Sequence, residues 1–420
     1  MLGRTPRQRA VVAAVLLVAA ATAVAGLLGR TALAVVGLAV LLALSLLVVL
    51  DLRSRTALLD RRLRRAPATT TGSAAELRSR VAELEEQLAA ATRENARLDD
   101  LSRASYRQAI RQHVRTFRTE DRLGRPTKSA ALQLPHKLRT LELAASHGVA
   151  IPEVYAVWPD VDAIDLSSLP DSFVLKADGG AGSAAVFPLR RQEDGRYQLV
   201  GAQGEVDEDE MRERIRGLGR AARPPFFAEE LLHAADGGPI PDDVKCYMFY
   251  GEVGHVLVRR VGEHGRASTI RLKFVDETGA DYGVVAQGRP HDPSIPVPDV
   301  LPQMVEVARH LSRAVGLPFC RVDLYDTSRG IVLGEITRAP MGGNERYDEH
   351  HDELLGERWL DGAARLQADL SAGRPPGALF GTVADLHLYP PSDRPRSPAN
   401  FGRTVVDCSQ WCGVTPAEAG

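Results

Sequence analysis

The chain has 420 residues, 44% hydrophobic and 25% charged, with a formal net charge of −2. That length allows two or three structural units with an ordinary core, and the near-neutral balance gives no basis for nucleic-acid binding. Four cysteines, Cys246, Cys320, Cys408 and Cys412, are too few for a disulfide framework; the first two fall in apolar strand-like stretches as buried thiols, and the last two form a lone C-x3-C without a second metal-binding pair.

Residues 1–65 read as a membrane anchor. Two uncharged apolar runs, about 11–28 and 32–50, are each long enough to span a bilayer as a helix, and the short turn at Gly29-Arg30-Thr31 makes them a hairpin. Arg4, Arg7 and Arg9 precede the first run, and Arg53, Arg55, Arg61, Arg62, Arg64 and Arg65 follow the second. The positive-inside rule then places both ends, and everything after them, in the cytoplasm at the inner membrane. Ala23-Val24-Ala25 also resembles a signal-peptide cleavage site, but the second run and its basic flank preserve the same orientation.

Residues 66–73 form a small-residue linker. From 74 to 101 the apolar positions Leu77, Val81, Leu84, Leu88, Ala91, Asn95 and Leu98 alternate in steps of four and three, the pattern of a coiled-coil seam. Asn95 at an a position favours a parallel homodimer, whereas Ala91 and the like-charged Glu94 and Asp99 oppose it; the alternative is an amphipathic helix packed on its own chain.

From residue 102 to about 375 the pattern is mixed α+β. Leu134–Gly148 reads as a helix followed by the extended segment IPEVYAVW. Ser172–Lys176 is a strand running into Asp178-Gly179-Gly180-Ala181-Gly182-Ser183, with further strands at Ala185–Leu189 and Tyr197–Val200. Because a strand follows the glycines, they match neither a dinucleotide fingerprint nor a P-loop; they read as a flap whose backbone N–H groups could close over phosphates, or as an ordinary turn. A charged helix is expected over Glu205–Ala221. Extended PFFAEELL, a strand pair at Val244–Tyr250 and His255–Arg260, and a helix over Pro302–Val315 follow. The stretch 376–420, rich in Pro, Ser and Arg, carries no assignable role.

The segment FCRVDLYDTSRGIVLGEITRAP reads as a hairpin with a five-residue connection, Asp326 to Gly330. That register pairs Tyr325 with Ile331, Asp323 with Leu333 and Arg321 with Glu335. One face carries Arg321, Asp323, Glu335 and Thr337, with Tyr325, Ile331 and Leu333 nearer the turn; Val322, Leu324, Val332, Gly334 and Ile336 form the core face. Asp323 and Glu335 thus lie diagonally within reach of one Mg²⁺ ion, or Arg321 and Glu335 form a solvated cross-strand pair.

These pieces, in this order over roughly 128–359, resemble the ATP-grasp superfamily, and most closely its teichuronopeptide-biosynthesis (TupA-like) branch. The quoted residues are FVLK with Lys176, the glycine flap, FFAEELL, DDVKCYMF, RVDLY and GEITRAP. The resemblance implies two α+β subdomains clasping ATP. It implies phosphate contacts from Lys176, Lys245 and the flap residues Gly179, Gly180, Gly182 and Ser183. It implies adenine and ribose contacts at Glu229, Glu230, Leu231 and Leu232, and Mg²⁺ at Asp323 and Glu335. Arg321 and Lys245 would offset charge on the transferring phosphoryl group. Many relatives have Asn where Thr337 stands, so a second metal is in doubt. The usual preceding substrate domain is largely missing. Arg260, Arg271, Lys273, Arg321 and Arg338 are the cations that could face an anionic substrate, while His255 and His264 are not expected to bind metal. The implied function is a membrane-tethered ATP- and Mg²⁺-dependent carboxylate–amine ligase acting on an acidic, carboxylate-bearing cell-envelope substrate. A kinase of a sugar or lipid-linked glycan and a non-catalytic nucleotide-binding scaffold are the alternatives.

Overall fold

The structure is a computed structural model that describes residues 56–58, 61, 71–124, 128–180, 185–201, 204–238, 240–262, 266–390 and 402–413. The chain divides into two compact units, 1–102 and 103–420. The two apolar runs at 11–28 and 32–50 lie outside the described residues; among the described residues no helix is long and apolar enough to cross a membrane.

The first unit contributes one helix, α1 (Thr71–Ser102), 32 residues long and spanning about 48 Å. Helix therefore begins inside the expected linker. Of the seam, Leu77 is exposed and Val81, Leu84 and Leu88 are half-buried on one side, while the side chains of Asn95 and Leu98 lie outside the described residues.

The second unit opens with α2 (Tyr106–Leu123), capped by Ser105, whose hydroxyl accepts from the Gln108 N–H. Tyr106, Ile110, Val114 and Phe117 recur at helical spacing and are its buried residues. The expected helix over Leu134–Gly148 is found shortened as α4 (Lys137–Ser146), and a separate short helix, α3 (Ala130–Gln133), precedes it. Pro135 lies in the break, where its missing N–H and its restriction of the preceding residue stop the first helix.

A six-stranded sheet follows, made of β1 (Val154–Trp158), β2 (Ser172–Gly180), β3 (Val186–Arg191), β4 (Tyr197–Leu199), β5 (Glu205–Val206) and β6 (Ala222–Glu230), in the order β1-β6-β2-β3-β4-β5. The expected helix over 205–221 is shorter: after β5, Asp207 and Glu210 form a capping box that starts α5 (Glu208–Gly217). β2 runs four residues past Lys176, so Asp178, Gly179 and Gly180 belong to the strand and not to the flap. Asp178 is fully buried and accepts from the Leu138 N–H (2.8 Å) and the Tyr389 hydroxyl (3.0 Å), which explains why the strand continues.

The second sheet has the order β11-β10-β7-β8-β9, from β7 (Asp243–Phe249), β8 (Glu252–Val261), β9 (Ile270–Val275), β10 (Cys320–Thr327) and β11 (Gly330–Thr337). β7 is buried along its whole length. Val244, Cys246, Met248, Val322, Leu324, Leu333 and Ile336 share a core with Met304, Val305, Ala308 and Leu311 of α6 (Leu301–Val315). Gly316 ends α6 in the left-handed conformation, φ 70°. A separate aromatic cluster joins Tyr247, Phe249 and Phe319 to Tyr106 of α2 and Trp359 of α7 (Glu349–Ser371). Gly356 lets α7 approach α2's start, because a Cβ there would meet the Ser105 backbone N at 2.4 Å.

The described residues beyond 375, 376–390 and 402–413, are packed within this unit. β12 (Leu379–Phe380) pairs in parallel with β13 (Thr404–Val405), and His147 Nε2 donates to the Leu379 carbonyl at 2.9 Å. Cys408 and Cys412 are buried free thiols one helical turn apart, and no group of three or more His, Cys, Asp or Glu side chains placed to hold a metal occurs among the described residues.

Candidate functional site

Three adjacent strands assemble the site on the sheet face opposite α6. Lys245 of β7 stands opposite Asp323 of β10, which stands opposite Glu335 of β11, so the three charges form one row across the ladder. The next row is Tyr247, Arg321 and Thr337. This differs from the expected hairpin register in a specific way. The connection is only Ser328-Arg329, Thr327 pairs with Gly330, and a bulge falls where Asp323↔Glu335 gives way to Leu324↔Leu333. A bulge adds one residue to one strand and so reverses parity beyond it. It moves Leu333 to the core and Val332 to the Tyr325 side, and it sets Asp323 directly across from Glu335 instead of diagonally.

Asp323 is buried at 3% exposure, and both its oxygens accept hydrogen bonds. Lys245 Nζ donates to it at 2.6 Å, and Arg321 reaches both its oxygens through Nε (2.6 Å) and Nη2 (2.7 Å). Burial opposes the Arg321 charge, but Asp323 beside it holds the guanidinium proton well above its ordinary range. Asp243, also 3.4 Å from Lys245, is pushed up by burial, yet Lys245 and Arg259 pull it well below the carboxylate range. Glu335 is half-buried and forms no hydrogen bond or ion pair among the described residues, although its charge acts on Arg321. Thr337 Oγ1 is buried without a partner. Two adjacent carboxylates and an orphaned hydroxyl are an oxygen donor set that fits one hard cation such as Mg²⁺.

The first sheet supplies the second group. Lys176 and Glu229 lie diagonally across β2 and β6 and form a close ion pair. Burial raises the Glu229 carboxyl while Lys176 counteracts it. Glu230 receives Arg329 Nη2 from the β10–β11 turn at 2.6 Å. Leu231 and Leu232 are buried just beyond it. Ser328 N–H donates to the His233 carbonyl at 3.2 Å, fastening this segment to the hairpin tip. Tyr325 lies where the two groups meet: its hydroxyl proton is held by burial first, then by Asp243, Asp323 and Glu229. Gly180 is required at its position, since a Cβ would sit 2.4 Å from the Ala221 carbonyl oxygen. Gly182 and Ser183 lie outside the described residues.

The five candidate anion-facing cations separate clearly. Arg260 is paired with Asp242 (2.6 Å), Arg271 bonds its neighbours' carbonyls, and Lys273 donates to the Pro293 and Ile295 carbonyls, both at 3.0 Å. Arg321 is committed to Asp323, leaving Arg338. His255 is fully buried against His351 (3.0 Å), inside the aromatic cluster, and His264 lies outside the described residues. Tyr247, whose hydroxyl donates to Glu345 at 2.7 Å, was legible only as a residue two positions from Lys245 on the same face; nothing in the sequence pointed to Glu345. A cleft lined by Gln287, Arg289, Met341, Asn344 and Glu345 lies on that side and contains none of Lys176, Lys245, Asp323 or Glu335.

Curated proteins similar to this chain include probable alpha-L-glutamate ligases from Xanthomonas campestris pv. campestris, 26% identical over 50% of this chain and 60% of the relative, and from Xanthomonas oryzae pv. oryzae, 27% identical over 50% and 59%. The chain thus spans about three fifths of the length of the curated relatives it matches. Among solved structures, D-alanine–D-alanine ligase from Bacillus anthracis aligns with a TM-score of 0.37 at 13% identity, covering 56% of this chain and 69% of that one. The ATP-grasp ligase PsnB, solved with a phosphomimetic variant of its minimal precursor, Mg and ADP, aligns at 0.31 and 16% identity, covering 54% and 58%. The profile of the TupA-like ATP-grasp family matches residues 123–360, which hold both sheets and every candidate residue named above from Lys176 to Thr337, and the chain belongs to that family.

Proposed function

We propose that this protein is a membrane-tethered, ATP- and Mg²⁺-dependent carboxylate–amine ligase that works through an acyl phosphate in building or modifying a cell-surface polymer. ATP and Mg²⁺ are the cofactors of ATP-grasp ligases. The observation that carries the reading is the row Lys245–Asp323–Glu335 with Arg321 beside it. Mg²⁺ held by Asp323 and Glu335, next to Thr337 Oγ1, would offset charge on the phosphoryl group. Lys245 and Arg321 add fixed positive charge at the same place, and Lys176 supplies it from the opposing sheet. Glu229, Glu230, Leu231 and Leu232 would hold adenine and ribose, with Gly182 and Ser183, beyond the strand residues Gly179 and Gly180, closing over the phosphates. The substrate carboxylate takes the γ-phosphoryl group and ADP leaves. An amine then attacks the acyl carbon; the C–N bond forms as the C–O bond to phosphate breaks, and phosphate departs. The similarity to proteins named glutamate ligases supports C–N bond formation over phosphorylation of a hydroxyl.

The anchor at 1–65, oriented with the catalytic unit in the cytoplasm, rests on the apolar runs and their arginine flanks. Parallel pairing through 74–101 is supported by the open strip of Leu77, Val81, Leu84 and Leu88 on α1. The chemistry is tested by supplying hydroxylamine with ATP, Mg²⁺ and a cell-envelope extract. A ligase yields a hydroxamate with ADP and free phosphate in step. γ-Phosphate retained on the envelope fraction as a stable ester, with no hydroxamate, would show a kinase instead.

A further inference from the structure

The row Tyr247, Arg321 and Thr337 adjoins the row Lys245, Asp323 and Glu335, one step of about 7 Å along the strands. Tyr247 donates its hydroxyl to Glu345 Oε1 at 2.7 Å, and Tyr347 donates to Oε2 at 3.3 Å. Glu345 therefore touches the side chain paired across the ladder with Arg321, which itself bonds Asp323. The chain makes a second connection. After Thr337 ends β11, it turns through three consecutive left-handed residues, Met341 (φ 49°), Gly342 (65°) and Gly343 (79°). That conformation is strained at a methionine, and such strain is kept where a turn holds a ligand. Met341, Asn344 and Glu345 then form one wall of the cleft beside the site.

The other wall is the segment 284–290. Gln287 N–H donates to the Arg346 carbonyl and Asp348 N–H to the Val285 carbonyl, both at 2.9 Å, so the walls are joined as a short ladder at Ala286 and Tyr347. The cleft encloses about 130 Å³, room for one small molecule. Two opposite charges stand in it. Glu345 is the deeper, its side chain 9% exposed, and Arg289 lies nearer the mouth at 30%, with Nη2 3.9 Å from Oε1. At that separation they share no hydrogen bond, and Arg289 makes none elsewhere among the described residues. Each Glu345 oxygen takes one tyrosine hydroxyl and keeps further acceptor capacity. Of the other charged lining groups, Asp348 caps α7 through the His351 N–H at 2.8 Å, and Arg346 is exposed.

A carboxylate alone would meet Glu345 as a like charge, and an amine alone would leave Arg289 unused. A molecule that carries both charges on one carbon satisfies the pair. We propose that Glu345 and Arg289 form the acceptor subsite and bind a free α-amino acid, its ammonium on Glu345 and its carboxylate on Arg289. This rests on the ligase reading above and names the class of amine which that reading requires. The difference in depth orients the ligand. Its amine lies at the inner end, beside Tyr247 and the row that serves phosphoryl transfer, and its carboxylate lies at the mouth.

The test is equilibrium dialysis of the full-length chain in detergent, with Mg²⁺ and a non-hydrolysable ATP analogue, against a mixture of the proteinogenic L-amino acids. At least one amino acid should be retained. Its amide, which keeps the ammonium and lacks the carboxylate, should bind more weakly by roughly tenfold or more, the worth of a charge-assisted hydrogen bond. Arg289→Gln should bring the amino acid down to the affinity of the amide and leave the amide unchanged, a pattern that a merely loosened cleft would not give. Glu345→Gln should weaken both, and Arg289→Lys should recover part of the loss. Arg289 has Glu345 as its one ion-pair partner among the described residues, at 3.9 Å, so its variant decides the matter even if Glu345→Gln fails to fold. Retention of no amino acid by the wild type, equal binding of acid and amide, or wild-type affinity in Arg289→Gln would overturn the subsite. Binding is read without turnover and hydroxamate formation is read separately, so failure of the subsite and failure of the ligase chemistry are distinguishable.

Discussion

Asp323 and Glu335 stand directly opposite one another across the β10–β11 ladder, and the pairing is kept in that alignment by a bulge at Gly334. Without the bulge, the alternation set by the turn would place Gly334 across from Asp323 and Glu335 across from Val322, on the core face. The bulge therefore lets one short hairpin keep Leu333 and Ile336 in the core and Glu335 on the site face.

Gly334 is the residue on which this depends. A Cβ there would lie 2.5 Å from the Tyr325 ring. Gly334→Ala should cost about 1–3 kcal/mol, the range for overpacking, and should weaken metal binding because the ring and the ladder shift together. Thermal unfolding and Mn²⁺ affinity measure the two effects. A variant as stable as wild type with unchanged metal affinity would contradict this role.

Lys176 and Glu229 form a buried pair in which removing one partner strands the other. Lys176→Met should destabilise the protein by about 3 kcal/mol, and Glu229→Gln in the same background should restore much of it, because the uncompensated charge is gone. A double-mutant cycle by denaturant unfolding reads this. Additive losses would mean the two side chains are not coupled.

Acid should weaken the fold through its buried histidines. Burial, reinforced by Arg338, holds His113 at about 4. Burial also holds His351 at about 4, where Asp348 and Asp352 oppose and His350 reinforces the shift, and burial with the neighbouring His351 pushes His255 well below the ordinary value. Their ordinary value is 6.5, so between 6.5 and about 4 the unfolded chain binds protons that the folded chain does not. Stability from this source is complete above the upper limit and declines as pH falls through the window. The denaturant midpoint should fall accordingly, and His351→Asn should flatten the slope. A profile unchanged by that substitution would contradict the assignment.

Much of this was legible in the sequence because it is local. The strands around Asp323 and Glu335 and the core-facing Val322, Leu324 and Ile336 follow from period-two alternation, and the α6 helix from its spacing. The register was not legible, since one bulged residue changes parity without leaving a compositional trace. Nor was the extension of β2, which is fixed by Asp178 bonding to Tyr389, 211 positions away. The place of Arg223 beside Gly179 likewise comes from β2–β6 pairing. The role of 376–390 and 402–413 in covering the second unit also arises from contacts remote in sequence, such as Arg403 on Glu142 at 2.7 Å.

The most direct measurement is metal binding by the full-length chain, followed as Mn²⁺ relaxation enhancement in the presence of ADP. If the Asp323–Glu335 pair holds the cation that serves phosphoryl transfer, wild type should bind Mn²⁺ with ADP. Glu335→Gln, which removes a carboxylate that carries no structural ion pair, should lose at least roughly tenfold in metal affinity while unfolding at the wild-type temperature. Asp323→Asn should lose as much, with a stability change from releasing Lys245 and Arg321. Wild-type Mn²⁺ affinity in both variants, with the fold intact, would contradict the account.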